Sequence, residues 1–104
     1  MVYFIREEKG FLVKIGYTKN IKQRMHQIKV GCPSEIILLG HVDGGEKEEK
    51  SIHEIFRHLR KHGEWFEYDY SMLYLIETFG TLLHGKDMLE RDRKLEKINT
   101  TFYI

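Results

Sequence analysis

Five side chains in the first two thirds of the chain carry groups that could act on a phosphodiester: Tyr3, Lys14, Arg24, Glu49 and His53. A carboxylate can hold a hard divalent cation, and an arginine or lysine can offset phosphate charge. A tyrosine, lysine or histidine can move a proton. Together they are the set a metal-dependent phosphodiester hydrolase needs. Each also has an ordinary structural explanation. Arg24 lies three residues after Ile21 and four before Ile28, spacings that share one helix face. An arginine there either lays its stem over apolar surface or sends its guanidinium into a cleft. Glu49 and His53, at i and i+4, stack on one flank of a helix, as a surface pair or as part of a site. Glu48 falls nearer the centre of the apolar stripe, so one of the two glutamates should be partly buried beside a sheet, and a buried carboxylate needs a partner or a metal. Lys14 interrupts an apolar strand. Strand alternation sends Val13 and Ile15 to the core and leaves Lys14 with Leu12 on the other side, at the mouth of a cleft.

Other candidates are weaker. His58 and His62 also stand at i and i+4, but no third ligand accompanies them, and zinc sites use three or four. Cys32, in Gly-Cys-Pro, has no charged neighbour to activate it. Trp65 and Phe66 read as core. No P-loop, dinucleotide fingerprint or nucleophile-elbow serine is present.

These residues must be positioned by a small set of elements. Residues 2–6 and 11–17 are apolar and aromatic, and the polar turn ending at Gly10 makes them an antiparallel hairpin. Thr18 or Asn20 caps a helix whose stripe is Ile21, Met25 and Ile28 and which ends near Val30-Gly31. Residues 35–42 contain Ile-Ile-Leu-Leu, a third strand closed by Asp43-Gly44-Gly45. Glu46 to His62 is predicted as the longest helix, with Ile52, Ile55, Phe56 and Leu59 on one face, Arg60 on the Glu49–His53 flank, and Gly63 just past its end. Residues 64–68 are an extended segment laid against the sheet. A further apolar helix spans Ser71 to His84, a short charged helix opens at Asp87-Met88-Leu89-Glu90 and runs to about Lys97, and Thr100 to Ile104 is an extended tail. The expected class is a small α/β (α+β) domain: a three-stranded, mostly antiparallel sheet flanked by helices, in the order ββαβα with helices at the C-terminus. A parallel doubly wound sheet is excluded by the opening hairpin.

The 104 residues make one domain, and 41% hydrophobic and 12% aromatic content fits a folded one. No apolar run approaches the ~20 residues of a membrane span. The start lacks the features of a secretory signal, and a lone cysteine cannot form an internal disulfide, so a reducing, cytoplasmic setting is expected. The net charge of +1 is uninformative, but between Lys9 and Pro33 six basic residues (Lys9, Lys14, Lys19, Lys22, Arg24 and Lys29) stand without an acidic one. Such a stripe either neutralises phosphates or is a solvated face.

Taken in order, these pieces resemble the GIY-YIG nuclease superfamily, in its T5orf172 or MUG113-like branch. Val2-Tyr3 resembles the first half of the motif and Lys14-Ile15-Gly16 the second, in a "KIG" form. Tyr17-Thr18 and Arg24 follow, then Glu49, His53, Phe56, Arg60 and Gly63-Glu64-Trp65-Phe66. The resemblance covers residues 2–68, which implies a nuclease core over 1–68 and a helical extension over 69–104 that either packs on the core or forms a homodimer interface. It implies an endonuclease acting on DNA, single- or double-stranded, with one Mg²⁺ or Mn²⁺ held by Glu49. It further implies that Arg24 binds the scissile phosphate and that Tyr3 orients or deprotonates the attacking water. Lys14 stands where many members carry a second tyrosine, so Lys14, Tyr17 and His53 all remain open for proton transfer. Lys19, Lys22 and Arg60 are the expected nucleic-acid contacts. The rival expectation is a catalytically inactive nucleic-acid-binding module of a phage or mobile-element system.

Overall fold

The structure is a computed structural model and describes residues 1–32 and 34–84. Strands β1 (Val2–Glu7) and β2 (Leu12–Tyr17) form the expected hairpin around residues 8–11. Helix α1 (Ile21–Gly31) follows, capped by the Asn20 side chain, which accepts from the Gln23 N–H at 3.1 Å. Then come β3 (Ile36–Val42), α2 (Glu46–Ile55), a single 3₁₀ turn (Arg57–Leu59), β4 (Arg60–His62), β5 (Trp65–Glu67), α3 (Ser71–Phe79) and β6 (Gly80–Leu82). The sheet has six strands in the order β4-β5-β2-β1-β3-β6, and every pair is antiparallel.

The expected sheet of three strands is therefore the centre of a wider one. The three added strands are three residues each, too short to show a period of their own. Two came out of predicted helices. The helix expected to run to His62 stops at Ile55, because Phe56 stays buried in the core while the chain turns and Arg60–His62 pairs with β5. His58 and His62 are then no longer one helical turn apart, and Arg60 is not on the flank of Glu49 and His53. The helix expected to reach His84 ends at Phe79, and Gly80–Leu82 adds to the outer edge of β3. Gly63 does adopt the left-handed conformation expected of it (φ +53°), but as the first residue of a two-residue hairpin loop between β4 and β5. A glycine at that place followed by Glu64 at negative φ has the signs of a type II′ turn.

The main core lies on one face of the sheet. Val2 and Phe4 of β1, Val13 and Ile15 of β2, and Phe66 of β5 meet Ile52 of α2, Phe56 just past its end, and Met72, Leu73 and Ile76 of α3. Residues 71–82 thus contribute both core side chains and a strand. The charged helix and extended tail expected after Asp87 lie outside the described residues. On the opposite face Tyr3 and Ile5 are fully buried and Lys14 is half-buried. There α1 covers the sheet shallowly. None of its residues is fully buried, and its inner side is the predicted stripe of Ile21, Met25 and Ile28 with Arg24 among them. No helix of the described residues is long and apolar enough to cross a membrane.

Burying a side chain of this size contributes about 1.5–3 kcal/mol, and truncating one also leaves a cavity. Met72→Ala should therefore lower the unfolding free energy by about 2–5 kcal/mol in a urea titration. A loss below about 0.5 kcal/mol, the range of surface substitutions, would show that α3 is not part of this core.

Candidate active site

The site begins where β5 stops. Its pairing with β2 ends at Lys14 opposite Trp65. One residue further, the Ile15 N–H donates to the Glu64 carbonyl at 3.0 Å, so the hairpin turn is pinned to β2. The Ile15 carbonyl points to the same side and has no strand to pair with. His53 fills that place: its Nε2–H donates to the carbonyl at 2.7 Å. A carbonyl can only accept, which fixes the proton on Nε2. The ring packs on Phe66, with centroids 5.0 Å apart. This contact holds α2 against the open edge of β2, and one helical turn before His53 it brings Glu49 to the same edge.

Glu49 is half-buried, and its Oε1 lies 3.7 Å from His53 Nε2. Burial raises its carboxyl above the ordinary range, and the neighbouring Glu64 carboxylate raises it further, while His53 opposes the shift. Glu48 is the exposed one of the two glutamates. Its carboxylate caps the helix by accepting from the Gly45 N–H at 2.7 Å, and this bond to the ionised form holds its carboxyl below the ordinary carboxylate range. Glu64 leaves the hairpin turn toward Lys14, with Nζ and Oε2 3.4 Å apart. With the carboxylate well exposed, this pair is a positioning contact more than a source of stability.

Tyr3 lies beneath these groups. Its ring is fully buried, and its hydroxyl is buried without a hydrogen-bond partner. Burial first, then the nearby Glu64 and Glu49 charges, push the phenol up to about 12, although Arg24 close by pulls the other way. The hydroxyl is therefore neutral at ordinary pH. The end of the ring lies directly against residue 16, which has to be glycine: a Cβ there would sit 2.6 Å from Tyr3 Cζ and 3.0 Å from Glu64 Oε2.

Above Tyr3 opens a cleft of about 550 Å³ lined by Tyr17, Thr18, Lys19, Arg24, Glu46, Glu49, Lys50 and Glu64. The first turn of α1 holds no acidic residue, and the first turn of α2 holds three, Glu46, Glu48 and Glu49. The positive end of the α2 dipole thus eases the crowding of carboxylates. Of the residues anticipated from the sequence, Tyr3, Tyr17, Lys19, Arg24 and Glu49 meet at or under the cleft. Lys14 and His53 stand behind it, bonded to Glu64 and to β2. Lys22 is exposed along α1. Arg60 is turned away, its Nε donating to the Gly63 carbonyl at 2.7 Å within the β4–β5 hairpin. Glu64, Glu46 and Lys50 were not anticipated. The one local signal for Glu64 was the glycine before it, and Glu46, Glu49, Lys50 and His53 share a helix flank at spacings of three, four and seven.

Compared with known protein families, residues 1–78 match the T5orf172 domain. The chain belongs to that family, which is part of the GIY-YIG-like, nuclease-related group to which the motif order pointed. The match spans every candidate residue described above. No curated protein and no solved structure matched the chain.

Because the atoms facing Gly16 belong to a buried ring, Gly16→Ala should force Tyr3 out of place. The expected loss of stability is about 1–3 kcal/mol, the usual range for overpacking, read by thermal or urea unfolding. An unchanged melting curve would show that Tyr3 does not lie against Gly16.

Proposed function

We propose that the cleft hydrolyses phosphodiester bonds of DNA with a divalent cation, Mg²⁺ or Mn²⁺, beside Glu49. The observation that carries this reading is the convergence of Glu49 and Glu64 next to an unpartnered buried hydroxyl, that of Tyr3, with Arg24 close to the same hydroxyl. Two carboxylates that disfavour each other's charge suit a cation between them. Among the described residues no three His, Cys, Asp or Glu side chains converge into a metal site. One or two carboxylates completed by water is the usual binding mode of Mg²⁺. Glu49 would hold the ion, with Glu64 beside it, and the bound ion would supply Lewis-acid polarisation and an acidified water.

The chain's own residues divide the remaining work. Lys19, Arg24 and Lys50 share the cleft with Glu46, Glu49 and Glu64, so their formal charges cancel until a cation adds to the positive side. A bound cation would make the cleft net positive, and the Arg24 fork can take two oxygens of a phosphate there and stabilise the charge that builds at phosphorus. The Tyr3 hydroxyl, with no other partner, orients the attacking water. His53 acts as a positioning residue, because its Nε2 proton is committed to Ile15 and its loss would release the helix that presents Glu49. Lys14 holds Glu64 in place. Lys19 and Lys50 on the rim, and Lys22 further along α1, contact the flanking phosphates.

Supercoiled plasmid, single-stranded DNA and RNA, each incubated with Mg²⁺, Mn²⁺ or EDTA, test this reading. Cleavage of DNA is expected with either metal and not with EDTA. Glu49→Ala should abolish cleavage while leaving the circular dichroism spectrum unchanged, and Arg24→Ala should slow it by about 10²–10³-fold, as for loss of one transition-state donor. Full activity of Glu49→Ala would overturn the assignment, and salt-sensitive binding with no cleavage in any metal would identify a non-catalytic binding module.

A further inference from the structure

A second pocket lies directly beside the cleft, and the nuclease reading gives it no role. It measures about 390 Å³ and is lined in part by Glu7, Leu12, Lys14, Gln27, Ile28 and Trp65. That volume is in the range of sites that enclose a small molecule. Trp65 sits opposite Lys14 in the β2–β5 register, so both side chains stand on the α1 face of the sheet. Its neighbour Phe66 is fully buried on the other face, while Trp65 stays half-buried and outside the core. The Trp65 ring is therefore not consumed by packing.

We propose that this pocket receives a nucleobase of the nucleotide next to the scissile phosphate. The proposal rests on the nuclease reading and adds to it a contact to the base. Lys14 is the partition between the two spaces: its Nζ lies 3.4 Å from Glu64 Oε2, which lines the cleft, and 5.4 Å from the centre of the Trp65 ring. Cleft and pocket are thus one residue apart along the chain, Glu64 to Trp65. A strand whose phosphate sits in the cleft carries its next base past Lys14 toward the indole. The lining suits a base better than a phosphate. Trp65, Leu12 and Ile28 offer flat apolar surface for stacking, the Gln27 amide offers a donor and an acceptor for a base edge, and Glu7 an acceptor. Lys14 and Glu7 cancel in formal charge, and with His62 as the other basic side chain of the lining the pocket is far less cationic than a phosphate site.

Trp65 is the single tryptophan of the chain, and its fluorescence reports the pocket alone. The full chain would be mixed with a fluorescently labelled single strand and with an abasic strand of equal length and charge. The buffer would contain Ca²⁺, a hard cation with oxygen ligands. Label anisotropy reads total binding, and Trp65 emission reads the pocket. The base-bearing strand should quench Trp65 and bind about 5- to 100-fold more tightly than the abasic one, the range for one base stacked on an aromatic ring. Trp65→Ala should remove that preference and Trp65→Phe should keep most of it. Equal affinity and unchanged emission for both strands would overturn the pocket while leaving the phosphate cleft intact. Binding of neither strand would overturn the pocket, and cleavage of supercoiled plasmid with Mg²⁺ or Mn²⁺, assayed on the same protein, decides separately whether the nuclease reading stands.

Discussion

The carbonyl of Ile15 is the point on which sheet, helix and site depend. It lies on β2 just past the last residue paired with β5, so it would stand unpaired beside the site if nothing replaced the missing strand. A buried or half-buried carbonyl without a partner costs about 1–3 kcal/mol. His53 meets that need with a side chain instead of a backbone, at 2.7 Å. A strand in that place would have closed the sheet edge. A helix can instead cross it and bring a carboxylate, which is how Glu49 comes to lie against Tyr3 and Glu64. The brevity of β5 and the presence of carboxylates at this edge are thus one fact seen from two sides.

Electrostatics make the same place unstable to charge. Burial and Glu64 both disfavour the ionised form of Glu49, and both carboxylates disfavour ionisation of the Tyr3 phenol. Arg24, His53 and Lys14 each relieve part of this, through one neighbour apiece: Arg24 at Tyr3, His53 at Glu49, Lys14 at Glu64. Such a cluster is poor as a stabilising network, since half-exposed ion pairs contribute little. The cation proposed beside Glu49 would relieve the same repulsion.

Much of this was legible from the residues, for identifiable reasons. The first two strands, α1 and β3 have strong periodicity and clear caps, and Asn20 caps where a capping residue should. Strand alternation put Val13 and Ile15 in the core and Lys14 opposite them. Of the two glutamates, Glu49 is the half-buried one and Glu48 the cap, a distinction that helical angle alone did not make, because the capping contact from Gly45 pulls Glu48 outward. The three short strands were not legible: pairing partners far along the chain, not local pattern, turn Arg60–His62 and Gly80–Leu82 into sheet. Arg60 was misplaced for the same reason. Glu64 was passed over because its role depends on the turn at Gly63, where the left-handed glycine was anticipated but read as the end of a helix.

The central claim is that Glu49 and Glu64 form a seat for one divalent cation. Electron paramagnetic resonance of Mn²⁺ titrated into the protein tests it without relying on turnover. The account predicts one bound Mn²⁺ per chain, lost in Glu49→Gln and weakened in Glu64→Gln, with both variants still folded. Free Mn²⁺ signal undiminished by the protein, or binding unchanged in Glu49→Gln, would contradict it.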